Sequence, residues 1–153
     1  MIAFLAAAAV SAWTFSVNAD PITDTKIAVI QAFDTKKKVI ISLRCENPGS
    51  GHITLFATSS EYLGGKGGRQ NARNIIYRVD EQIPSMMTGI YRGNDVAVLG
   101  YEDMASFLRS AETVKSRIAL RFETYSGEYV DAIIPASGAI QNFRKIMEFC
   151  QAR

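Results

Sequence analysis

The chain has 153 residues, and its 17 Lys and Arg against 15 Asp and Glu give a formal net charge of +2 at pH 7. A balance this mild gives no support for binding to nucleic acid or to an anionic membrane surface. Two cysteines and one histidine are too few for a typical structural zinc site, so we expect no metal. No repeat or change of composition divides the chain, and its length fits one domain with a single core.

The first 19 residues are predicted to be an export signal. No charged side chain precedes Asp20, and an apolar run from Met1 to Phe15 is followed by the small-residue site Val17-Asn18-Ala19. This is the form of a cleavable secretory signal, although the usual Lys or Arg at its start is missing. We expect cleavage after Ala19, which leaves residues 20–153 as one mature domain. A buried N-terminal helix and an uncleaved membrane anchor are the alternatives, and an uncleaved signal would be the chain's only contact with the membrane.

Most of the mature chain is predicted to form short β-strands. Apolar and polar residues alternate along several segments, as in half-buried strands, and glycine-rich or Asn/Asp-rich turns separate them. In the strand that ends at Cys45, for example, the residues from Val39 to Cys45 alternate, so that Cys45 shares the inward face. The predicted strands cover residues 26–33, 39–45, 52–58, 74–80, 86–91, 95–99, 117–123 and 129–134.

Two helices are predicted to accompany the strands. Residues 102–112 contain helix formers with acidic residues in the first turn. After Pro135, Ser137 is expected to cap a final helix, in which Ile140, Phe143, Met147 and Cys150 recur at spacings of three and four and form an apolar stripe. The predicted fold class is therefore α+β: a mainly antiparallel twisted sheet or small sandwich with a short helix and a C-terminal helix packed on it.

The two cysteines are predicted to form a disulfide. Cys45 lies on the inward face of its strand and Cys150 on the apolar stripe of the last helix, so each faces the core independently. Two cysteines allow a single intramolecular pairing. Disulfides persist in the periplasm or outside the cell and are rare in the cytosol, which agrees with an exported, periplasmic domain. Two buried free thiols are the alternative.

A glycine-rich loop at residues 64–69 and the segment after it carry four basic side chains, with no acidic residue between Glu61 and Asp80. The loop is not a Walker A motif, because no G-K-[ST] closes it. The basic residues are predicted to bind an anion or an acidic partner surface, and a solvated loop is the alternative interpretation. The residues of this predicted patch are Lys66, Arg69, Arg73 and Arg78.

No catalytic constellation is evident, and we expect a protein without cofactor or enzymatic activity. Cys45 and His52 could act as nucleophile and base only if the thiol were free and partly exposed, whereas Cys45 is predicted to be buried and oxidised. No G-x-S-x-G or S-x-x-K motif is present. An envelope hydrolase that uses His52 stays open as a hypothesis. The six tyrosines give weak support for a contact surface, because tyrosine is enriched at interfaces.

Several short motifs follow one another along the chain: Leu43-Arg44-Cys45, Tyr62-Leu63-Gly64, Tyr77-Arg78-Val79-Asp80, Arg121–Tyr125, Val130–Ile134 and Gly138–Cys150. Their order resembles the TagO/VasI family of type VI secretion-associated periplasmic proteins. The resemblance implies a non-enzymatic periplasmic accessory protein that binds an envelope or secretion-system protein, and it carries over no catalytic residues. A second functional hypothesis is an inhibitor or immunity-type protein whose basic loop enters the acidic cleft of an exported hydrolase or toxin.

Overall fold

The computed structural model describes residues 11–65 and 70–152, which form nine strands and two helices. The strands are β1 (Trp13–Ala19), β2 (Lys26–Phe33), β3 (Val39–Glu46), β4 (Ile53–Ser59), β5 (Asn71–Val79), β6 (Ser85–Arg92), β7 (Asp95–Val98), β8 (Arg117–Glu123) and β9 (Tyr129–Pro135). The helices are α1 (Tyr101–Ala111) and α2 (Ala139–Cys150). The predicted α+β class is confirmed. Neither of these helices is long and apolar enough to span a membrane.

All nine strands belong to one antiparallel sheet with the order β1-β2-β3-β4-β7-β6-β5-β8-β9. The sheet is curled, and the chain near its first strand meets the chain near its last. The backbone N–H of Ala12 donates to the Ser137 carbonyl at 3.0 Å, and that of Thr35 donates to the Ile133 carbonyl at 2.9 Å. Backbone hydrogen bonds thus join opposite ends of the strand order.

The core lies on the inward face of the sheet, where both helices pack. α2 contacts β1, β2 and β3, whereas α1 contacts β4, β6 and α2. The alternation that predicted the inward faces is confirmed, because apolar residues at every second position are buried. Examples are Val39, Ile41, Leu43 and Cys45 in β3, Ile75, Tyr77 and Val79 in β5, and Ile118, Leu120 and Phe122 in β8.

The segment Trp13–Ala19, which the sequence assigned to the end of the export signal, forms the edge strand β1. It pairs with β2 along its whole length, from Trp13 opposite Ala32 to Ala19 opposite Lys26. The Trp13 side chain belongs to the core and is only 1% exposed. Residues 1–10, the apolar start of the predicted signal, lie outside the described part of the chain.

The start of α2 differs from the prediction. Ser137 does not cap the helix; the N-cap is Gly138, with φ of +75°, and no side chain makes a capping hydrogen bond. The Ser137 hydroxyl instead accepts a hydrogen bond from the backbone N–H of Ala12 at 3.1 Å. The left-handed backbone at Gly138 favours glycine, because a side chain there would be strained.

Candidate functional site

The disulfide between Cys45 and Cys150 joins β3 to the last residue of α2, as predicted. The sulfurs are 2.08 Å apart, the Cα atoms are 5.9 Å apart, and both residues are fully buried. The loop after β3 is held against the same end of α2, because the Gly49 N–H donates to the Phe149 carbonyl at 2.9 Å and the Gly51 N–H donates to the Cys150 carbonyl at 2.7 Å. The disulfide and these bonds fix the C-terminal end of α2.

A groove opens beside this fixed end of α2, between α1, α2 and the start of β4. We call it the helix groove. Its cavity has a volume of about 60 Å³, and apolar side chains dominate its lining. Arg109 and Glu112 contribute charged groups to it. The apolar lining includes Ile53, Tyr101, Met104, Ala105, Leu108 and Met147.

Two large apolar side chains increase the exposed apolar surface near the helix groove. Tyr101, at the first position of α1 and in the groove lining, is 61% exposed, and Leu99, two residues earlier, is 48% exposed. Pockets for drug-sized ligands are usually several times larger than this cavity, at about 300–1,000 Å³. The groove therefore fits one apolar side chain of a larger partner better than a small-molecule substrate.

The predicted basic patch is only partly described, and its two described members point to opposite faces of β5. Lys66 and Arg69 lie outside the described residues. Arg73 shares the inward side of β5 with Ile75, whereas Arg78 points outward and pairs with Glu81 at 2.9 Å. The structure thus does not bring Arg73 and Arg78 together. Alternation along the strand could have shown this, because the two arginines are an odd number of residues apart.

Arg73 links the segment before the glycine-rich loop to the end of β8. Its guanidinium donates to the carbonyls of Leu63 and Glu123, the latter at 2.6 Å, and lies 4.0 Å from the ring centroid of Tyr91. Burial raises the pKa of Tyr91 to about 12, and the charge of Arg73 acts in the opposite direction. Arg73 is therefore engaged in holding loop, strand and ring together. The sequence predicts Arg73 as part of an anion- or partner-binding patch and does not indicate this role.

The same end of the sheet brings two loops into close contact. The Gly93 carbonyl accepts hydrogen bonds from the backbone N–H groups of Leu63 at 2.9 Å and Gly64 at 2.7 Å. A side chain at Gly64 would collide with the Gly93 backbone, so glycine is required for this approach. Tyr62 packs edge-on against Tyr125, with ring centroids 5.4 Å apart. These contacts account structurally for the Tyr-Leu-Gly motif.

Asp80, the last residue of the Tyr-Arg-Val-Asp motif, organises the start of β8. Its carboxylate accepts hydrogen bonds from the backbone N–H groups of Lys115 and Ser116, each at 2.8 Å, and of Arg117 at 3.0 Å. Burial acts to raise the pKa of Asp80, but the hydrogen bonds from Arg117, Ser116 and Lys115 outweigh it and lower the pKa from 3.8 to about 2. This motif therefore has a structural explanation.

His52 is exposed, and its Nε2 lies 3.3 Å from the Leu99 carbonyl oxygen. The disulfide leaves no Cys45 thiol to act as a nucleophile beside it. Within residues 11–65 and 70–152, no group of three or more His, Cys, Asp or Glu side chains could hold a metal ion.

No protein-family model, curated protein or solved structure matches the chain.

Proposed function

We propose that the chain is an exported, non-enzymatic binding protein whose helix groove receives an apolar side chain of another envelope protein. The helix groove is the observation that carries this proposal. It is apolar and open, and the exposed Tyr101 and Leu99 add apolar area. Interfaces obtain much of their binding energy from a few apolar or aromatic residues that fill such pockets.

The disulfide supports an exported location for this binding protein. A buried Cys45–Cys150 bond forms and persists in the periplasm or outside the cell. Because the motifs resemble those of the TagO/VasI family, we propose that the partner is a periplasmic protein of a type VI secretion apparatus. That the domain is an accessory protein and not an enzyme belongs to the same proposal.

The test is capture of the partner from intact cells with a groove-filling variant and a matched control. Ala105 lies in the groove lining, and Ser106, the next residue of α1, is exposed to solvent. Ala105→Trp fills the groove, whereas Ser106→Trp adds the same side chain outside it. We expect wild type and Ser106→Trp to recover the same envelope protein and Ala105→Trp to lose it. Thermal unfolding of both variants should stay cooperative, which separates blocked binding from misfolding.

Binding of the purified partner should then be measured by calorimetry. We expect Ala105→Trp to raise the dissociation constant at least tenfold, which corresponds to a loss of about 1.4 kcal/mol of binding free energy. Equal recovery and equal affinity for all three proteins would show that the helix groove is not the binding surface. Repeated capture with no envelope partner would count against the binding function itself.

A further inference from the structure

We propose that the export signal is removed between Ala12 and Trp13, so that the mature protein begins with the first residue of β1. The proposal shares with the proposed function only the export of the chain. The sequence alone favours cleavage after Ala19, at the end of the same strand. The contacts of Trp13 with the rest of the domain decide between the two positions.

Trp13 is built into the core by three separate contacts. Its indole ring packs on Phe143 of α2, with ring centroids 4.9 Å apart. The indole N–H donates to the Pro135 carbonyl at 2.9 Å, and the Trp13 carbonyl accepts from the buried side-chain amide of Asn142 at 3.0 Å. Cleavage after Ala19 would expose Phe143 and remove one acceptor from a buried amide, which is unfavourable.

Cleavage after Ala19 would also remove a complete strand. All seven residues of β1 pair with β2. Without β1, the backbone groups of β2 that face it would lie on an exposed sheet edge, and such edges promote aggregation. A mature protein that begins at Asp20 would therefore lack part of its sheet and part of its core.

A second cleavage motif lies upstream of Trp13. Val10-Ser11-Ala12 has the same valine–any residue–alanine form as Val17-Asn18-Ala19. An apolar stretch precedes it from Ile2 to Ala9, as an apolar region precedes the cleavage site of a secretory signal. Ser11 is exposed, and β1 begins immediately after Ala12.

The proposed modification is hydrolysis of one peptide bond. A signal peptidase adds water across the Ala12–Trp13 amide, which leaves a carboxylate on Ala12 of the released leader and an α-amine on Trp13 of the mature chain. The bond joins Ala12, whose N–H donates to the carbonyl and the hydroxyl of Ser137, to Trp13, the first residue of β1. Removal of residues 1–12 gives up these Ala12 hydrogen bonds but leaves every β1–β2 pair in place.

The test is the N-terminus of the exported protein. The full chain is expressed in a Gram-negative host, recovered by osmotic shock, and examined by intact mass measurement and N-terminal sequencing. We expect a chain that begins at Trp13. A chain that begins at Asp20 or at any other residue, or one that keeps residues 1–12, would overturn the proposal.

Two matched variants sharpen this test, because a signal peptidase requires a small residue before the cleaved bond. Ala12→Leu should accumulate as a precursor that keeps residues 1–12, whereas Ala19→Leu should still be processed to Trp13. The opposite pattern would place the cleavage after Ala19.

The processing and the proposed function can fail separately. A protein that begins at Trp13 but captures no partner would contradict only the helix-groove function. An unprocessed protein that still binds its partner through the groove would contradict only the cleavage between Ala12 and Trp13.

Discussion

The indole nitrogen of Trp13, in the first strand, donates a hydrogen bond to the carbonyl oxygen of Pro135, the last residue of the ninth strand, at 2.9 Å. These two residues lie at opposite ends of the strand order, and the bond joins them where the sheet curls back on itself. The same indole packs on Phe143 of α2. One side chain thus connects the first strand, the last strand and the C-terminal helix.

The first prediction concerns the contribution of Trp13 to stability. Trp13→Ala should lower the free energy of unfolding by about 3–5 kcal/mol, because a large buried aromatic is replaced and a cavity remains. Val17→Ala, in the same strand at a side chain that is 46% exposed, should change it by less than about 1 kcal/mol. Urea unfolding with the disulfide intact measures both values. Similar small effects for the two variants would show that β1 is not part of the cooperative fold.

The second prediction concerns the disulfide. Cys45 and Cys150 are separated by 105 positions in the sequence. In the loop-entropy description, a closed loop of this length stabilises the folded state by about 4–5 kcal/mol. Replacing both cysteines by alanine should therefore lower the urea concentration at the unfolding midpoint strongly. Reductant should lower this midpoint for the wild type and leave it unchanged for the double variant. A wild type that is insensitive to reductant under unfolding conditions would contradict this.

The features that could be predicted from the sequence are those with a local pattern. Alternation from Val39 to Cys45 showed which face of β3 is buried, and spacings of three and four did the same for Phe143 and Cys150 in α2. Because the two patterns place each cysteine on an inward face independently, they predict the pairing without knowledge of the strand order. The order itself, in which β4 pairs with β7, had no such local pattern.

The features that could not be predicted depend on contacts between distant parts of the chain. The apolar segment before Asp20 has the composition of a signal, and only its pairing with β2 and the packing of Trp13 on Phe143 show that residues 13–19 form a strand. The helix groove likewise arises from the relative position of α1 and α2. The inward position of Arg73 is a different case, because its alternation with Ile75 is visible in the sequence, although its charge favours an exposed position.

The third prediction concerns the pH dependence contributed by Asp80. Its pKa is about 2 in the folded protein and 3.8 without the folded-state interactions. As the pH falls from about 4 to about 2, the unfolded chain therefore binds more protons than the folded protein does. The stabilisation is therefore complete above about pH 4 and lost towards pH 2. Discounted for solvent screening, it should amount to about 1–2 kcal/mol at pH 7.

Asp80→Asn tests this contribution. Its free energy of unfolding should lie below that of the wild type at pH 7, and the two should converge at about pH 2, where the wild-type carboxylate becomes protonated. Glu128→Gln, at an exposed position in the turn between β8 and β9, is the matched control. Its free energy of unfolding should change between pH 7 and pH 2 by the same amount as that of the wild type. A constant difference between wild type and Asp80→Asn from pH 7 to pH 2 would contradict the assignment.

The fourth prediction separates the two arginines of β5. Arg73→Lys keeps the charge but loses the planar group that donates to the carbonyls of Leu63 and Glu123, so it should lower the free energy of unfolding by about 1–3 kcal/mol. It should also speed hydrogen exchange at Leu63 and Gly64 at least tenfold, because Arg73 holds the segment that contains these amides. Arg78→Lys should have little effect, because its ion pair with Glu81 is largely exposed.

Hydrogen exchange measured residue by residue by NMR distinguishes this arrangement from a shared anion-binding patch. If both arginines served one patch, added phosphate would slow amide hydrogen exchange in the wild type. The Arg73→Lys and Arg78→Lys variants would then lose this slowing to a similar degree. The opposite orientations of Arg73 and Arg78 predict a different result, in which faster exchange is confined to Arg73→Lys and to the amides of Leu63 and Gly64. Equal effects of the two variants would show that the inward contacts of Arg73 do not control the loop.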